Sequence, residues 1–329
     1  MKYLSLFTGI GGFELGIEQA YEFNNTKVAR LEDGQKTSSV QDIQPDPTST
    51  NGRHVPTCIG YSEIDKYACQ IYQRHYPNHK NYGDITKINA DELPDFDLLV
   101  GGFPCQAFSV AGKRAGFNDT RGTLFFNIAR ICKEKRPQHL VLENVKGLLS
   151  HDSGKTFQTI LGVLADLGYF VEWQVLNSKY FGVPQNRERV FIVGHLGGEP
   201  RRKVFPIYGT NRQNRLSSDA IAWSKSHRTG KSPEDYKRKN RGKTEMRINK
   251  NGILNTLSTG DGCGNQSTSN FIDKYKIRRL TPLECERLQG FPDSWTEGVS
   301  ATQRYKCLGN AVTVSVIREI VKRFLTTRP

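Results

Sequence analysis

The amino-acid sequence predicts an α/β fold in which a mostly parallel sheet is covered by helices on both faces. Short apolar runs alternate with helical patterns over the first 195 of the 329 residues, and such alternation is typical of strand–helix–strand units. The first unit is a strand, a glycine turn and a helix, which is how nucleotide-binding half-sheets begin. After residue 195 a basic, loop-rich segment replaces this pattern and predicts a smaller, irregular domain.

The first strand, glycine turn and helix are predicted at residues 2–7, 8–12 and 13–21. The strand is largely apolar, and the helical segment carries apolar residues at roughly helical spacing. As a dinucleotide fingerprint the turn is defective, because Glu14 occupies the place of the last glycine. A tight structural turn therefore explains these glycines about as well as a ligand site does.

The next segment, 24–54, is rich in Asn, Gln, Ser, Thr, Asp and Pro and has almost no apolar periodicity. This composition predicts an inserted loop. A strand follows at 55–62, and Glu63 stands at its end. Without the insertion, Glu63 lies about 20 residues after the glycine turn, which is the spacing of the acid that holds a ribose diol. A solvated charge at a strand end is the alternative.

The remaining elements of the first domain place three polar features where a ligand could reach them. Asp84 and Ile85 belong to a short polar turn, Cys105 follows a strand in a turn bounded by glycine and proline, and Glu143 ends the next strand. Because ligands of open α/β sheets bind outside the carboxyl ends of the strands, Cys105 and Glu143 are expected at the same rim. The predicted strands are 97–100, 138–142, 170–176 and 190–193, and the predicted helices are 65–76, 124–135 and 156–167.

The cysteines narrow the chemistry that Cys105 could perform. A lone cysteine is most often a small buried apolar residue. The seven cysteines are odd in number and include no Cys-x-x-Cys pair, which argues against a disulfide framework and against a zinc site. We expect no metal and a reducing, cytoplasmic setting. No apolar stretch approaches the ~20 residues of a membrane helix, so no membrane association is expected.

The charge distribution indicates a polyanionic partner. The formal net charge is +14 and the pI is about 9.4. Residues 196–250 hold 15 Lys and Arg against five acids, interleaved with aromatic side chains. A solvated basic face is the alternative, but this imbalance favours contacts with phosphates.

The last part of the chain returns to regular structure. Thr281, Pro282 and Glu284 form a helix-start signature, and 312–325 is an amphipathic helical pattern that follows Gly309 and Asn310. The sequence therefore divides into an α/β domain at 1–195, a basic, loop-rich region at 196–277 and a C-terminal segment at 278–329.

Taken in order, the motifs resemble those of the bacterial DNA (cytosine-5)-methyltransferases of restriction-modification systems. The Pro-Cys-Gln turn and the Glu-Asn-Val tripeptide are the most specific, and the insertion at 24–54 is the main departure. The matching segments span nearly the whole chain and are 6–13, 83–85, 102–109, 121–126, 143–146, 185–189, 279–292 and 309–312.

The resemblance implies that 1–195 is the catalytic and cofactor-binding domain, with a Rossmann-like methyltransferase sheet, that 196–277 is the target-recognition domain, and that 278–329 returns to the catalytic domain. It also implies a covalent mechanism on a cytosine flipped out of duplex DNA. Carbon 5 of cytosine is a poor nucleophile, and addition of a thiolate to carbon 6 makes it enamine-like. By resemblance Cys105 is that nucleophile, Glu143 the acid at ring N3, and Arg189 the residue that holds O2. Arg187 and Gln106 complete the implied catalytic set.

The implied methyl donor is S-adenosyl-L-methionine, which leaves as S-adenosyl-L-homocysteine. The cofactor residues implied are Phe7, Gly9, Ile10, Gly11, Gly12, Glu63, Ile64, Asp84, Ile85, Pro104, Leu124, Asn310 and Ala311. The residues implied to contact DNA are Ser109, Lys113, Arg121, Thr256, Leu257 and Ser258. The resemblance also implies a monomer of bacterial or phage origin, and a cognate restriction endonuclease that acts on the same site without forming a stable complex.

Three other functions compete with this one. A tRNA cytosine-5 methyltransferase would share the catalytic residues but is expected to lack so basic a recognition region. A catalytically silent, sequence-specific DNA-binding protein is opposed by the intact Cys105, Glu143 and Arg189. A Rossmann dehydrogenase is opposed by Glu14 in the fingerprint and by the Pro-Cys-Gln turn.

Overall fold

A six-stranded sheet forms the centre of the protein. The computed structural model describes residues 1–33, 55–104, 124–200, 203–209, 220–225, 246–249, 254–255, 270–273 and 276–326. The strands, in chain order, are β1 (Lys2–Leu6), β2 (Thr57–Ser62), β3 (Leu98–Gly102), β4 (His139–Val145), β5 (Tyr169–Asn177), the two-residue β6 (Gln185–Asn186) and β7 (Glu188–Leu196). The spatial order is β2-β1-β3-β4-β7-β5. In this sheet β7 runs opposite to the other five strands, which confirms the mostly parallel sheet.

Both faces of this sheet are buried. Successive residues of one strand pack into different clusters: Leu140 and Leu142 lie in the cluster that contains α3 (Leu124–Lys135) and α4 (Lys155–Asp166), whereas Val141 lies in the other. That second cluster contains residues of α1 (Gly12–Asp33) and α7 (Val314–Thr326). A strand buried on both faces is apolar at most positions, and this explains the nearly continuous apolar runs of the sequence.

Helix α1 corrects one boundary of the sequence prediction. It continues to Asp33, so residues 24–33, predicted as the start of an inserted loop, are helical. The prediction relied on apolar periodicity, which is almost absent from the sequence of this stretch, although its Glu, Lys, Arg and Leu residues favour helix. The rest of the predicted insertion, 34–54, lies outside the described residues.

The C-terminal segment adds three helices beside the sheet, which are α5 (Pro282–Gln289), α6 (Ala301–Asn310) and α7. Helix α2 (Lys66–His75) belongs to the first part of the chain. The predicted start of α5 is confirmed: Thr281 Oγ1 accepts from the Glu284 amide, and the Glu284 carboxylate accepts from the Thr281 amide. Helix α7 packs closely on α1, because a Cβ at Gly16 would lie only 2.7 Å from Ile317 Cβ. Helix α6 was not predicted.

A second sheet is described between residues 220 and 279. Its strands are β8 (Ala220–Lys225), β9 (Met246–Asn249), β11 (Asn270–Asp273) and β12 (Lys276–Arg279), in the antiparallel order β12-β11-β8-β9. A short strand β10 (Leu254–Asn255) pairs in parallel with β6. Among the described helices, none is long and apolar enough to span a membrane.

Candidate active site

A cavity of about 310 Å³ opens beyond the carboxyl ends of β1, β3 and β4. The chain leaves β1 toward β2 on one side, and β3 lies on the other, so this is the point of the sheet where ligands of such folds bind. Nine of the predicted site residues line the cavity: Phe7, Gly9, Glu63, Pro104, Glu143, Arg187, Arg189, Asn310 and Ala311.

The glycine turn forms one wall. Directly after β1 the backbone takes positive φ angles at Phe7 (54°), Gly9 (60°) and Gly11 (89°), and α1 then begins at Gly12. A side chain at φ near 60° is strained, while a Cβ at Gly9 would meet no atom within 4 Å. The turn therefore presents bare backbone to the cavity.

Glu63, at the end of β2, is joined directly to this turn. Its Oε2 accepts from the Gly9 amide at 2.9 Å, and its Oε1 accepts from the amides of Ile64 and Asp65 at 2.8 Å each. These bonds fix a carboxylate at the cavity wall and leave lone pairs of its oxygens for a ligand hydroxyl. Ile64 follows; it is 74% exposed and is not among the residues that line the cavity.

Other predicted cofactor residues lie outside the lining of the cavity. Asp84 caps a short 3-10 turn, and hydrogen bonds from the Thr86 amide and hydroxyl lower the pKa of its carboxyl. The side chains of Ile10 and Ile85 are buried in the core, so only their backbone is available to a ligand. Gly11, Gly12 and Leu124 also lie outside the lining residues.

The opposite wall contains a buried ion pair. Glu143 lies on β4 and Arg189 on β7, and Arg189 Nε is 3.0 Å from Glu143 Oε1. Burial raises the pKa of Glu143, and the positive charges of Arg189 and Arg187 oppose that increase. A buried carboxyl whose pKa is raised can carry a proton at neutral pH and donate it to a bound base.

Arg187, which the resemblance places in the catalytic set, is almost completely buried beside this pair. Its guanidinium is buried and donates from Nη2 to the carbonyls of Ala311 at 2.8 Å and Gly309 at 3.2 Å. Burial and the nearby charge of Arg189 lower its pKa to about 9, against the opposing charge of Glu143. Arg187 thus ties the catalytic sheet to the segment that carries Asn310, besides placing charge beside Glu143.

Asn144 is a site residue that the sequence analysis did not single out. Its Nδ2 donates to the Phe103 carbonyl at 2.8 Å, and its Oδ1 accepts from the Val145 amide. The side chain therefore joins the ends of β3 and β4, one residue before Pro104. A polar residue within the Glu-Asn-Val tripeptide was the available signal, but its partner lies 41 residues away.

Several predicted residues lie beyond the described part of the chain. They are Cys105, Gln106, Ser109, Lys113, Arg121, Thr256, Leu257 and Ser258. Pro104, the residue directly before Cys105 in the sequence, is described and lines the cavity. Eleven other described residues line the cavity, and eight of them fall within the matching segments of the sequence. The remaining three, which the sequence analysis did not single out, are Asp65, Ala68 and Cys307.

Within the described ranges, no group of three or more His, Cys, Asp or Glu side chains is arranged to hold a metal ion. The described cysteines, Cys58, Cys69, Cys132, Cys285 and Cys307, are free thiols.

Comparison with known proteins finds a family and several relatives. The family model described as C-5 cytosine-specific DNA methylase matches residues 1–220 and 202–326. The type II methyltransferase M1.ScrFI of Lactococcus lactis subsp. cremoris is 38% identical over 98% of this chain and 78% of its own length. M.NlaX of Neisseria lactamica is 38% identical over 98% of this chain and 95% of its own length. M.HpaII of Haemophilus parainfluenzae is 40% identical over 82% of this chain and 83% of its own length.

Solved structures agree on the fold. A mutant of Spodoptera frugiperda DNMT2 superposes with a TM-score of 0.63 at 18% identity and covers 98% of this chain and 99% of its own. The Dnmt2 methyltransferase of S. pombe gives a TM-score of 0.63 at 16% identity, covering 99% and 98%.

Proposed function

The chain belongs to the C-5 cytosine-specific DNA methylase family, and we propose that it transfers a methyl group from S-adenosyl-L-methionine to carbon 5 of a flipped-out cytosine in duplex DNA. The observation that carries this proposal is the buried Glu143–Arg189 pair. It lies in the same cavity as the glycine turn, Glu63 and Pro104, and the cysteine of the Pro-Cys-Gln turn directly follows Pro104 in the chain.

The residues of the cavity fit S-adenosyl-L-methionine. This ligand has no phosphate, so it needs no helix N-terminus of the dinucleotide-binding kind, and Glu14 in place of the last glycine is compatible with it. The Glu63 carboxylate suits the ribose hydroxyls, and the bare backbone at Gly9 suits close approach of the methionine part. When bound, the cofactor supplies an electrophilic methyl group. Asn310 and Ala311 line the far wall.

The chain's own residues perform the activation of cytosine. The Cys105 thiolate forms a bond to carbon 6, and Glu143 gives its proton to ring N3 so that no full negative charge develops on the ring. Arg189 donates to the pyrimidine O2 and holds Glu143 in place. After carbon 5 has been methylated, its proton leaves to a base, the C5–C6 double bond re-forms with expulsion of the Cys105 thiolate, and the N3 proton returns to Glu143.

The protein is also proposed to supply the phosphate contacts that flipping requires. An in-helix cytosine is stacked, and extruding it costs a few kcal/mol. The excess positive charge of residues 196–250 can offset this cost through contacts with the DNA backbone. Residues 256–258, and Ser109, Lys113 and Arg121 near the nucleophile, are the proposed contacts to the target. The chain is proposed to act as a monomer in a reducing cytoplasm, with a cognate endonuclease that shares its site.

The test uses Cys105→Ser with duplex DNA and tritiated S-adenosyl-L-methionine. We expect the variant to bind duplex DNA about as tightly as the wild type and to transfer no label, because a serine hydroxyl is not ionised at neutral pH. Wild-type-like transfer by this variant would exclude the covalent mechanism. Transfer by the wild-type protein to tRNA but not to duplex DNA would assign the competing RNA activity, and bisulfite sequencing of methylated plasmid would identify the target cytosine.

A further inference from the structure

The glycine turn is held in place by a residue that comes from the far end of the chain. Trp295 is buried, and its indole Nε1 donates to the Ile10 carbonyl at 2.8 Å, across 285 residues. Ile10 lies in the turn between β1 and α1, next to Gly9. We propose that Trp295 is a positioning residue for the methyl donor, acting through the Ile10 carbonyl on the backbone that contacts the cofactor.

The indole itself has little freedom to move. It stacks on the His75 imidazole of α2, with ring centroids 3.5 Å apart and planes at 4°. His75 Nε2 also hydrogen-bonds the Trp295 carbonyl at 2.8 Å. Phe291 packs against the indole at 5.4 Å between ring centroids. A stacked and a tilted ring contact of this kind orient an aromatic ring as well as burying it.

The backbone on either side of Trp295 is clamped by one carboxylate. Glu286 is fully buried on α5, and its Oε2 accepts from the Ser294 amide while its Oε1 accepts from the Thr296 amide, both at 2.8 Å. Arg304 Nη2 lies 2.9 Å from the same Oε1 and compensates the buried charge. A carboxylate paired with an arginine and two amides is a strong anchor. The Glu286 anchor, the indole and the Ile10 carbonyl thus form one continuous chain of contacts.

This chain of contacts reaches the side of the cavity that is formed by the glycine turn and Glu63. It does not reach the side that is formed by Glu143 and Arg189. Gly9, next to Ile10, donates its amide to Glu63, the proposed ribose-binding acid. Because Ile10 lies between this bond and the start of α1, a turn released at Ile10 would change the distance between Gly9 and Glu63. The Glu143–Arg189 pair makes none of these contacts. The inference rests on the proposed use of S-adenosyl-L-methionine, and it predicts an effect on cofactor binding alone.

The experiment compares Trp295→Phe with the wild-type protein in steady-state methyl transfer. Phenylalanine keeps an aromatic ring and loses the N–H donor. We expect the KM for S-adenosyl-L-methionine and the Kd for S-adenosyl-L-homocysteine to rise about tenfold, which corresponds to ~1.4 kcal/mol. The KM for DNA, and kcat when both substrates saturate, should stay within about twofold, because the substitution does not touch Glu143 or Arg189.

Tyr169→Phe is the matched control. It also removes one buried aromatic donor from a backbone carbonyl, that of Pro137 at 2.8 Å, but at the opposite end of the sheet. Both variants should lose thermal stability, and only Trp295→Phe should change cofactor binding. Equal cofactor KM values in the two variants would assign Trp295 a merely structural role and overturn the inference.

A second variant covers the case in which Trp295→Phe does not fold. His75→Ala removes the stacking partner and the bond to the Trp295 carbonyl from a partly exposed position, and it leaves the indole N–H in place. We expect a smaller rise of the cofactor KM, about threefold, and no change in the KM for DNA; an unchanged cofactor KM counts against the inference. A wild-type protein that neither binds nor uses S-adenosyl-L-methionine would instead refute the proposed function.

Discussion

Replacing Glu143 by glutamine tests whether this carboxyl acts as the acid on the cytosine ring. Glutamine has nearly the same shape, so the buried site beside Arg189 keeps its packing. It can donate a hydrogen bond to N3, but it has no proton to transfer. Since general acid catalysis contributes about 10²- to 10⁴-fold, we expect the rate of methyl transfer to fall by about that factor. Loss of the negative charge beside the Arg189 guanidinium should cost about 1–3 kcal/mol of stability.

The assay is single-turnover transfer of labelled methyl to duplex DNA, measured as a function of pH. Burial raises the pKa of Glu143, so the protonated form persists to higher pH than in an exposed carboxyl. The wild-type rate should fall as the pH rises through this raised pKa, because the ionised carboxyl has no proton to give. It should also fall toward low pH, where Cys105 is a thiol, so the profile is bell-shaped. Glu143→Gln should lose the alkaline limb alone.

Glu172→Gln is the control for this experiment. Glu172 is another buried glutamate of the same sheet, paired with His195 at 2.9 Å and with the amides of Val204 and Phe205. Its substitution should lower the free energy of unfolding without changing the pH profile of transfer. A Glu143→Gln protein that transfers methyl within tenfold of the wild-type rate, with its alkaline limb intact, would refute the assignment of the acid.

Two further substitutions test the walls of the cavity. Asn144→Ala removes the hydrogen bond to the Phe103 carbonyl. It should lower the rate of single-turnover transfer about tenfold or more by misplacing the turn that carries Cys105, while the cofactor Kd, measured by calorimetry, stays within about threefold. An unchanged rate would mean that this turn needs no such support. Gly9→Ala should cost about 1–2 kcal/mol in chemical unfolding, because alanine is strained at its φ of 60°, and should raise the cofactor KM. Gly162→Ala is the control, because a Cβ at Gly162 also meets no atom within 4 Å but its φ is that of an ordinary helix. This variant should be as stable as the wild type or more stable. An equal loss of unfolding free energy in the two variants would show that backbone strain is not the cause.

The sequence predicted the catalytic sheet because its signals are local. A strand buried on both faces needs a nearly unbroken apolar run, and the helices between strands need apolar residues at helical spacing. Both signals are read within ten or fifteen residues. Helix α1 shows where this fails, since the sequence of its last ten residues almost lacks the apolar periodicity by which a helix is recognised, and they were assigned to a loop.

The site was predicted in part, and for a similar reason. Glycines at a turn, an acid at a strand end and a motif in the right order identified Gly9, Glu63, Glu143 and Arg189, all of which line one cavity. The role of Cys105 stays a prediction, because it lies outside the described residues. The antiparallel direction of β7, which brings Arg189 beside Glu143, follows from no local pattern.

The sequence by itself determined the family and the strand–turn–helix units, and it suggested the chemistry proposed for Glu143 and Cys105, since these depend on residue type and short spacing. The tertiary structure alone decided which partners hold them: Arg187 with the Ala311 carbonyl, Asn144 with the Phe103 carbonyl, and Trp295 with the Ile10 carbonyl. In each pair a side chain meets a backbone carbonyl, a group that every residue possesses. Such an acceptor does not depend on residue type, so the sequence cannot indicate it. Only the folded structure shows which carbonyl accepts a hydrogen bond from a given buried donor.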